Sequence, residues 1–308
     1  MYTAQRPSRS EYLAVRGLRM HVRRWGPAST DSALPPLVLA HGWMDVAASY
    51  QFVVDALSDA FMQGRSVIAA DWRGFGESRP STPADHYLFV DHLADLDALL
   101  EHCAPGQPVD LVGHSMGGNL AMMYAGARPA RIRRLVNLEG FGMPATQPSS
   151  APGRYAQWMD ETRQLASGAL DLKSYDSVDG VAQRLRKTNR RLSQDRADWL
   201  ARHWAAPDAD GRWHILGDAA HKVTSPQLFR LDEMLALYAA ITAPTLAVEA
   251  SDDSLGQWWK ERYTLAQYHE RLTHVRDCRT ARVDDAGHML HHDQPEAVAR
   301  LIEDFLTA

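Results

Sequence analysis

The chain has 308 residues, 45% of them hydrophobic and 23% charged, which are the proportions of a globular protein rather than a disordered or fibrous one. Its 33 basic and 38 acidic residues leave a formal net charge of -5, so there is no overall cationic surface to hold a phosphate backbone, and nucleic acid is not expected as a partner. Cys103 and Cys278 are the two cysteines and show no CxxC or Cys/His ligand spacing; neither a disulfide framework nor a metal site is expected.

The N-terminal ten residues are polar and lack the apolar stretch of a secretory signal. No run of about 18 apolar residues exists to span a membrane. A cytoplasmic location is expected. Along 11–25, Leu13, Val15, Leu18, Met20 and Val22 alternate with polar residues, a period of two that predicts a pair of strands turning at Gly17. A Pro/Ser-rich turn is expected over 27–36. Beyond it, short apolar runs at 37–40, 67–70, 109–112, 135–138 and 245–248 have the character of parallel strands covered on both faces. Helical patterns lie between them at 49–61, 87–103 and 116–128, and a last one covers 294–306. Alternation of this kind predicts a doubly wound, mostly parallel sheet. The segment 144–240 breaks the rhythm: it is aromatic-rich, has charged helices and shows no parallel strand. It is expected to be a mainly helical insertion, or cap, between core segments 1–143 and 241–308.

The strand at 109–112 runs into Gly113-His114-Ser115-Met116-Gly117-Gly118, and a helix follows. G-x-S-x-G between strand and helix predicts a nucleophile elbow, in which small neighbours allow a tight turn that exposes the serine hydroxyl. A serine needs a base near neutral pKa to act as nucleophile. The base has to come from 14 histidines, one of which, His288, lies in Asp284-Asp285-Ala286-Gly287-His288, between a strand-like run at 280–283 and the last helix. His291 and His292 on the same loop are alternatives. His114 is assigned a scaffold role.

Two further segments complete a resemblance. His41-Gly42-Trp43 follows one strand, and Asp71-Trp72-Arg73-Gly74-Phe75-Gly76-Glu77-Ser78 follows the next. Together with the elbow they resemble the α/β-hydrolase superfamily over nearly all of the chain outside the insertion. The resemblance implies an α/β-hydrolase fold, His288 as base, and an oxyanion hole built from the backbone N–H groups of Trp43 and Met116. Such donors matter because attack at an acyl carbon places negative charge on its oxygen. It also implies that Asp71 is structural.

Two carboxylates compete for the third catalytic position, which orients the histidine. Asp253, after the strand at 245–248, sits where the superfamily places its acid, although Ala250 replaces the usual glycine. Glu139, at the end of the preceding strand, resembles the position used by some haloalkane dehalogenases. Asp253 is preferred and Glu139 stays open.

In the cap, Tyr155 with Trp158 and Trp199 with His203 share helical faces and are candidate substrate-binding residues, against the alternative that they form the cap's own core. A basic cluster of Arg184, Arg186, Lys187, Arg190 and Arg191 reads as a solvated helix face. Trp258 and Trp259 are open to either reading. The function expected is a serine hydrolase of small carboxylic esters, with an apolar acyl or aryl group and no cofactor. Thioesterase, lactonase, carbon–carbon bond hydrolase and acyltransferase activities share such a site, and a non-catalytic receptor shares the fold. Dehalogenation and epoxide opening are disfavoured, because the resembling enzymes attack with an aspartate where this chain has Ser115.

Overall fold

The computed structural model describes residues 2–28 and 34–308; the middle of the turn expected over 27–36 lies outside them. In chain order the first elements are β1 (Arg9–Val15), β2 (Leu18–Trp25), β3 (Leu37–Ala40), α1 (Gln51–Ala56), α2 (Asp59–Met62), β4 (Val67–Ala70) and the two-residue β5 (Arg79–Pro80). They are followed by α3 (Phe89–Cys103), β6 (Val109–His114), α4 (Met116–Ala127) and β7 (Ile132–Leu138). The helical run expected over 49–61 is divided, because Ser58 turns out of the helix and its hydroxyl caps α2 by accepting from Phe61 N.

The next stretch holds α5 (Ala151–Ala166), β8 (Ser174–Tyr175), α6 (Val178–Thr188), α7 (Gln194–Trp204), β9 (Ala205–Pro207), β10 (Trp213–Ile215) and α8 (Leu231–Ala240). The chain ends with β11 (Thr245–Ala250), α9 (Ser254–Trp259), α10 (Leu265–Leu272), β12 (Cys278–Val283), α11 (Leu290–Asp293) and α12 (Pro295–Thr307).

Among the described residues the main sheet runs β1-β2-β4-β3-β6-β7-β11-β12, with β5 paired to β2. From β4 to β12 all pairings are parallel, and β1 and β2 form the antiparallel edge. The apolar runs are continuous because both faces are covered: Val38, Ala40, Ile68 and Leu111 point into one core cluster, and Leu37, Leu39, Val67 and Val112 into the other. Helices α3, α4, α8 and α10 cover the first face, through side chains such as Leu96, Leu120, Tyr238 and Tyr268. Helices α1, α11 and α12 cover the second, through Val53, Leu290, Val298 and Ile302. Each such aliphatic side chain contributes about 1.5–3 kcal/mol on burial.

The segment 144–240 is less purely helical than expected, since β8, β10 and β9 pair into a small antiparallel sheet. These strands are only two or three residues long, too short for a period-two signal to register in the sequence. Its last helix, α8, belongs with the core by packing: Met234 and Tyr238 lie in the first core cluster, and a Cβ on Gly126 of α4 would come 2.2 Å from Leu237 O. Among the described residues no helix is long and apolar enough to cross a membrane.

Candidate active site

Parallel strands deliver their following loops to one edge of the sheet, where sites in such folds assemble. Here β3 leads to His41-Gly42-Trp43, β6 to Ser115, β7 to Glu139, β11 to Asp253 and β12 to His288.

Ser115 has φ 53 and ψ -117, left-handed backbone of the kind that costs about 1–3 kcal/mol and is held by its surroundings. The restraints are visible: Ser115 N donates to Leu138 O at 2.8 Å, and Asn119 N donates to Ser115 O at 3.0 Å. The flanking glycines are required by close approach. A Cβ on Gly113 would lie 2.2 Å from Gly117 O, and one on Gly117 would lie 2.1 Å from Ala40 O. Met116 opens α4, where the first N–H groups of a helix have no partner within it. The loop after β3 lies against the elbow, since a Cβ on Gly42 would sit 3.2 Å from Ser115 Cβ.

Ser115 Oγ–H donates to His288 Nε2 at 2.9 Å, and His288 Nδ1–H donates to Glu139 Oε2 at 3.3 Å. The loop that carries His288 is anchored on each side. Asp293 Oδ2 accepts from Gly287 N at 2.9 Å, Ser251 Oγ and Ala286 exchange hydrogen bonds, and His114 Nε2–H donates to the His288 carbonyl at 2.7 Å. Burial pushes the His288 imidazole down to about 3 and that of His114 also to about 3. The resting His288 is therefore neutral and able to accept a proton.

Glu139 also has left-handed backbone, φ 55. Asn137 closes the turn beneath it, accepting from Gly140 N through Oδ1 at 3.0 Å and donating to Gly140 O through Nδ2 at 2.8 Å. This directs the Glu139 carboxylate across β11, where Oε1 accepts from Ala250 N at 2.7 Å. Burial raises its pKa to about 7, against the lowering effect of the Ala250 N–H and the Ser254 hydroxyl.

Asp253, the carboxylate preferred from sequence, is not the one at His288. Its Oδ1 accepts from Gly256 N at 2.7 Å as the cap of α9, and the side chain is exposed. The correction has a local cause: Ser-Asp-Asp-Ser before a helix favours capping. Asp252 is drawn outward by Arg191, whose Nη1 lies 2.7 Å from its Oδ2. Asp71 accepts from Ala47 N, Glu77 N and the His21 ring, holding the neighbouring loops.

The cap candidates are dispersed. Tyr155 is half exposed on α5, and Trp158 sets its ring edge-on to His86 at 5.8 Å. Trp199 packs on Tyr2 and Phe52 at 5.4 and 5.7 Å, and His203 Nδ1 accepts from Arg23 Nη2 at 3.3 Å. These last two face Tyr2, Phe52 and Arg23 rather than Ser115, because the apolar face of α7 is consumed by the third core cluster. Of the basic cluster, Arg191 bridges to Asp252 and Asp285 on the core. Trp258 does meet the site, edge-on to His288 with centroids 4.3 Å apart. Its place within five residues of Asp253 was the available signal.

The sequence matches the family described as alpha/beta hydrolase fold over residues 35–295. A serine hydrolase-like protein of Danio rerio is 25% identical over 288 residues, which cover 92% of this chain and 83% of that protein. Cis-3-alkyl-4-alkyloxetan-2-one decarboxylase of Shewanella oneidensis is 24% identical, covering 98% of this chain and 89% of the relative. Among solved structures, the thioesterase domain from the curacin biosynthetic pathway superposes with a TM-score of 0.80 at 24% identity, over 96% of this chain and 99% of that domain. The last is a likeness of fold.

Proposed function

The chain belongs to the alpha/beta hydrolase fold family, and we propose that it is a serine hydrolase that cleaves small carboxylic esters through an acyl-serine, with Ser115, His288 and Glu139 as its triad. The observation that carries this reading is the contact of Ser115 Oγ with a half-buried His288 Nε2 at 2.9 Å, on an imidazole whose pKa is held down by desolvation. As Ser115 attacks the acyl carbon, His288 takes its proton. The Glu139 carboxylate holds the imidazole by Nδ1 and stabilises its positive charge. The backbone N–H groups of Trp43 and Met116 stabilise the oxyanion, a contribution of about 3 to 4 kcal/mol for one donor in a comparable site. His288 then gives its proton to the leaving alcohol and activates a water that hydrolyses the acyl-serine.

Trp258 beside His288 supplies an apolar wall that suits an acyl or aryl group. The Danio rerio relative is described as serine hydrolase-like, which supports the same chemistry. A serine at position 115 does not support alkyl-halide displacement, which needs a carboxylate nucleophile to form an ester intermediate. The test is a panel of p-nitrophenyl esters of increasing chain length, with fluorophosphonate labelling and Ser115→Ala as control. Turnover and labelling that both disappear in Ser115→Ala are expected. A wild-type chain that neither labels nor hydrolyses any of the panel overturns the proposal.

A further inference from the structure

We propose that Asp45, His114 and His291 form a buried site for a divalent transition metal of the zinc type, which ties together the three segments that carry Trp43, Ser115 and His288. One ligand atom from each of the three residues lies within 4.8 Å of the others, and the residues are buried, at 5%, 1% and 0% exposure. Their hydrogen-bonding capacity is unmet. Asp45 Oδ2, His114 Nδ1 and both ring nitrogens of His291 have no hydrogen-bond partner among the described residues, whereas buried polar atoms in folded proteins nearly always find one.

The protonation pattern fits a ligand set. His114 Nε2–H donates to the His288 carbonyl at 2.7 Å, which leaves Nδ1 as a bare lone pair. Metal-binding imidazoles are commonly fixed in this way, by donation of the other N–H to a carbonyl. On Asp45, Oδ1 accepts from Val46 N and from the Ser49 hydroxyl, so Oδ2 is the oxygen left for the cluster. Oδ2 stands 3.7 Å from His291 Nε2, beyond a normal hydrogen bond. That separation is close to the roughly 3.4 Å between ligand atoms that tetrahedral zinc imposes with bonds of about 2.0–2.1 Å. Two imidazoles and one carboxylate are a donor set that zinc accepts, with a position left for a small fourth ligand.

The consequence is positional. Asp45 follows Trp43 by two residues, His114 precedes Ser115, and His291 follows His288 by three. A metal held by all three fixes the relative places of the oxyanion loop, the elbow and the base loop from beneath, without touching substrate. The residues are too far apart in sequence for any ligand-spacing motif to announce them.

The experiment uses the full chain, produced in zinc-supplemented cells and, in parallel, refolded with Zn²⁺, then dialysed against metal-free buffer and assayed for metal by mass spectrometry. Stoichiometric zinc is expected, lost in Asp45→Asn and in His291→Gln. Replacement by Co²⁺ is expected to give the visible bands of a tetrahedral site. No bound zinc after either preparation, or zinc retained equally by both variants, overturns the proposal. Should the variants not fold, wild-type crystals decide: an anomalous zinc peak bonded to Asp45, His114 and His291 supports the site. A water at that point, or a peak only at His288 or elsewhere, overturns it. Metal content is read without any substrate, so its outcome is independent of the esterase assay.

Discussion

Glu139→Gln set against Asp253→Asn tests which carboxylate serves His288. In Glu139→Gln the side-chain oxygen stays pinned where Oε1 now accepts from Ala250 N at 2.7 Å. The amide NH2 then takes the place of Oε2 and faces His288 Nδ1. Two donors cannot share that contact, so the imidazole must carry its proton on Nε2, where it can no longer accept from Ser115. Loss of the charge and of the correct tautomer lowers kcat by about 10⁴ in a comparable triad, or about 5 kcal/mol of activation free energy. Asp253→Asn keeps a side-chain oxygen for Gly256 N and loses only a charge at the start of a six-residue helix. Asparagine caps as well as aspartate, so kcat within about twofold of wild type is expected. The assay is steady-state hydrolysis of the best p-nitrophenyl ester, with circular dichroism to confirm that both variants fold. A folded Asp253→Asn that loses activity while Glu139→Gln keeps it refutes the assignment.

Three further outcomes follow from the same geometry. The proposed mechanism needs His288 neutral and Glu139 ionised, and with the Glu139 carboxyl raised to about 7 and the imidazole lowered to about 3, the pair takes its first proton near neutrality. The acid limb of kcat/KM therefore lies there, read as one apparent value of the pair, and in Glu139→Gln the residual activity titrates at lower pH; an unmoved limb contradicts the pairing. Gly117→Ala places a Cβ 2.1 Å from Ala40 O, backbone that cannot rotate away, and a loss of about 3 kcal/mol or more is expected in urea unfolding; an unchanged midpoint contradicts the close approach. Trp258→Ala removes the ring set edge-on to His288 at 4.3 Å and is expected to lower kcat/KM for aryl esters about 2- to 12-fold, mainly through KM, the equivalent of about 0.5–1.5 kcal/mol; equal kinetics on aryl and acetyl esters in both proteins contradicts an apolar wall there.

The strand–elbow–helix run around Ser115 and the loop of His288 are legible in sequence because each is set by neighbouring residues. Gly113 and Gly117 stand two residues either side of the serine whose turn they permit, and the Gly287-His288 loop between β12 and the last helix resembles its counterpart in the superfamily. The parallel sheet is legible for a similar reason, since doubly covered strands such as β3 and β4 are apolar at every position. The segment 144–240 resists this reading. On α7 the aromatic face bearing Trp199 has one periodicity whether it meets substrate or Phe52, and only the packing shows that it meets Phe52.

The choice between Glu139 and Asp253 shows where local reading ends. Both carboxylates follow a core strand, and both precede His288 in the chain, so spacing gives them equal standing. What separates them is the company each keeps in three dimensions. Asn137 closes the Leu138–Gly140 turn, so Glu139 is thrown inward to Ala250 N and His288, at 2% exposure. Asp253 has an N–H within its own helix to satisfy and remains at the surface. A buried carboxylate with a single charge-bearing partner holds an imidazole far better than an exposed one, because solvent screens the exposed charge. With Glu139 at His288, the Asp253 carboxylate is left to cap the helix that follows β11. This helix, α9, carries Trp258 edge-on to His288, so the residue that sequence alone favours for the chemistry stands at the root of the helix that bears this ring.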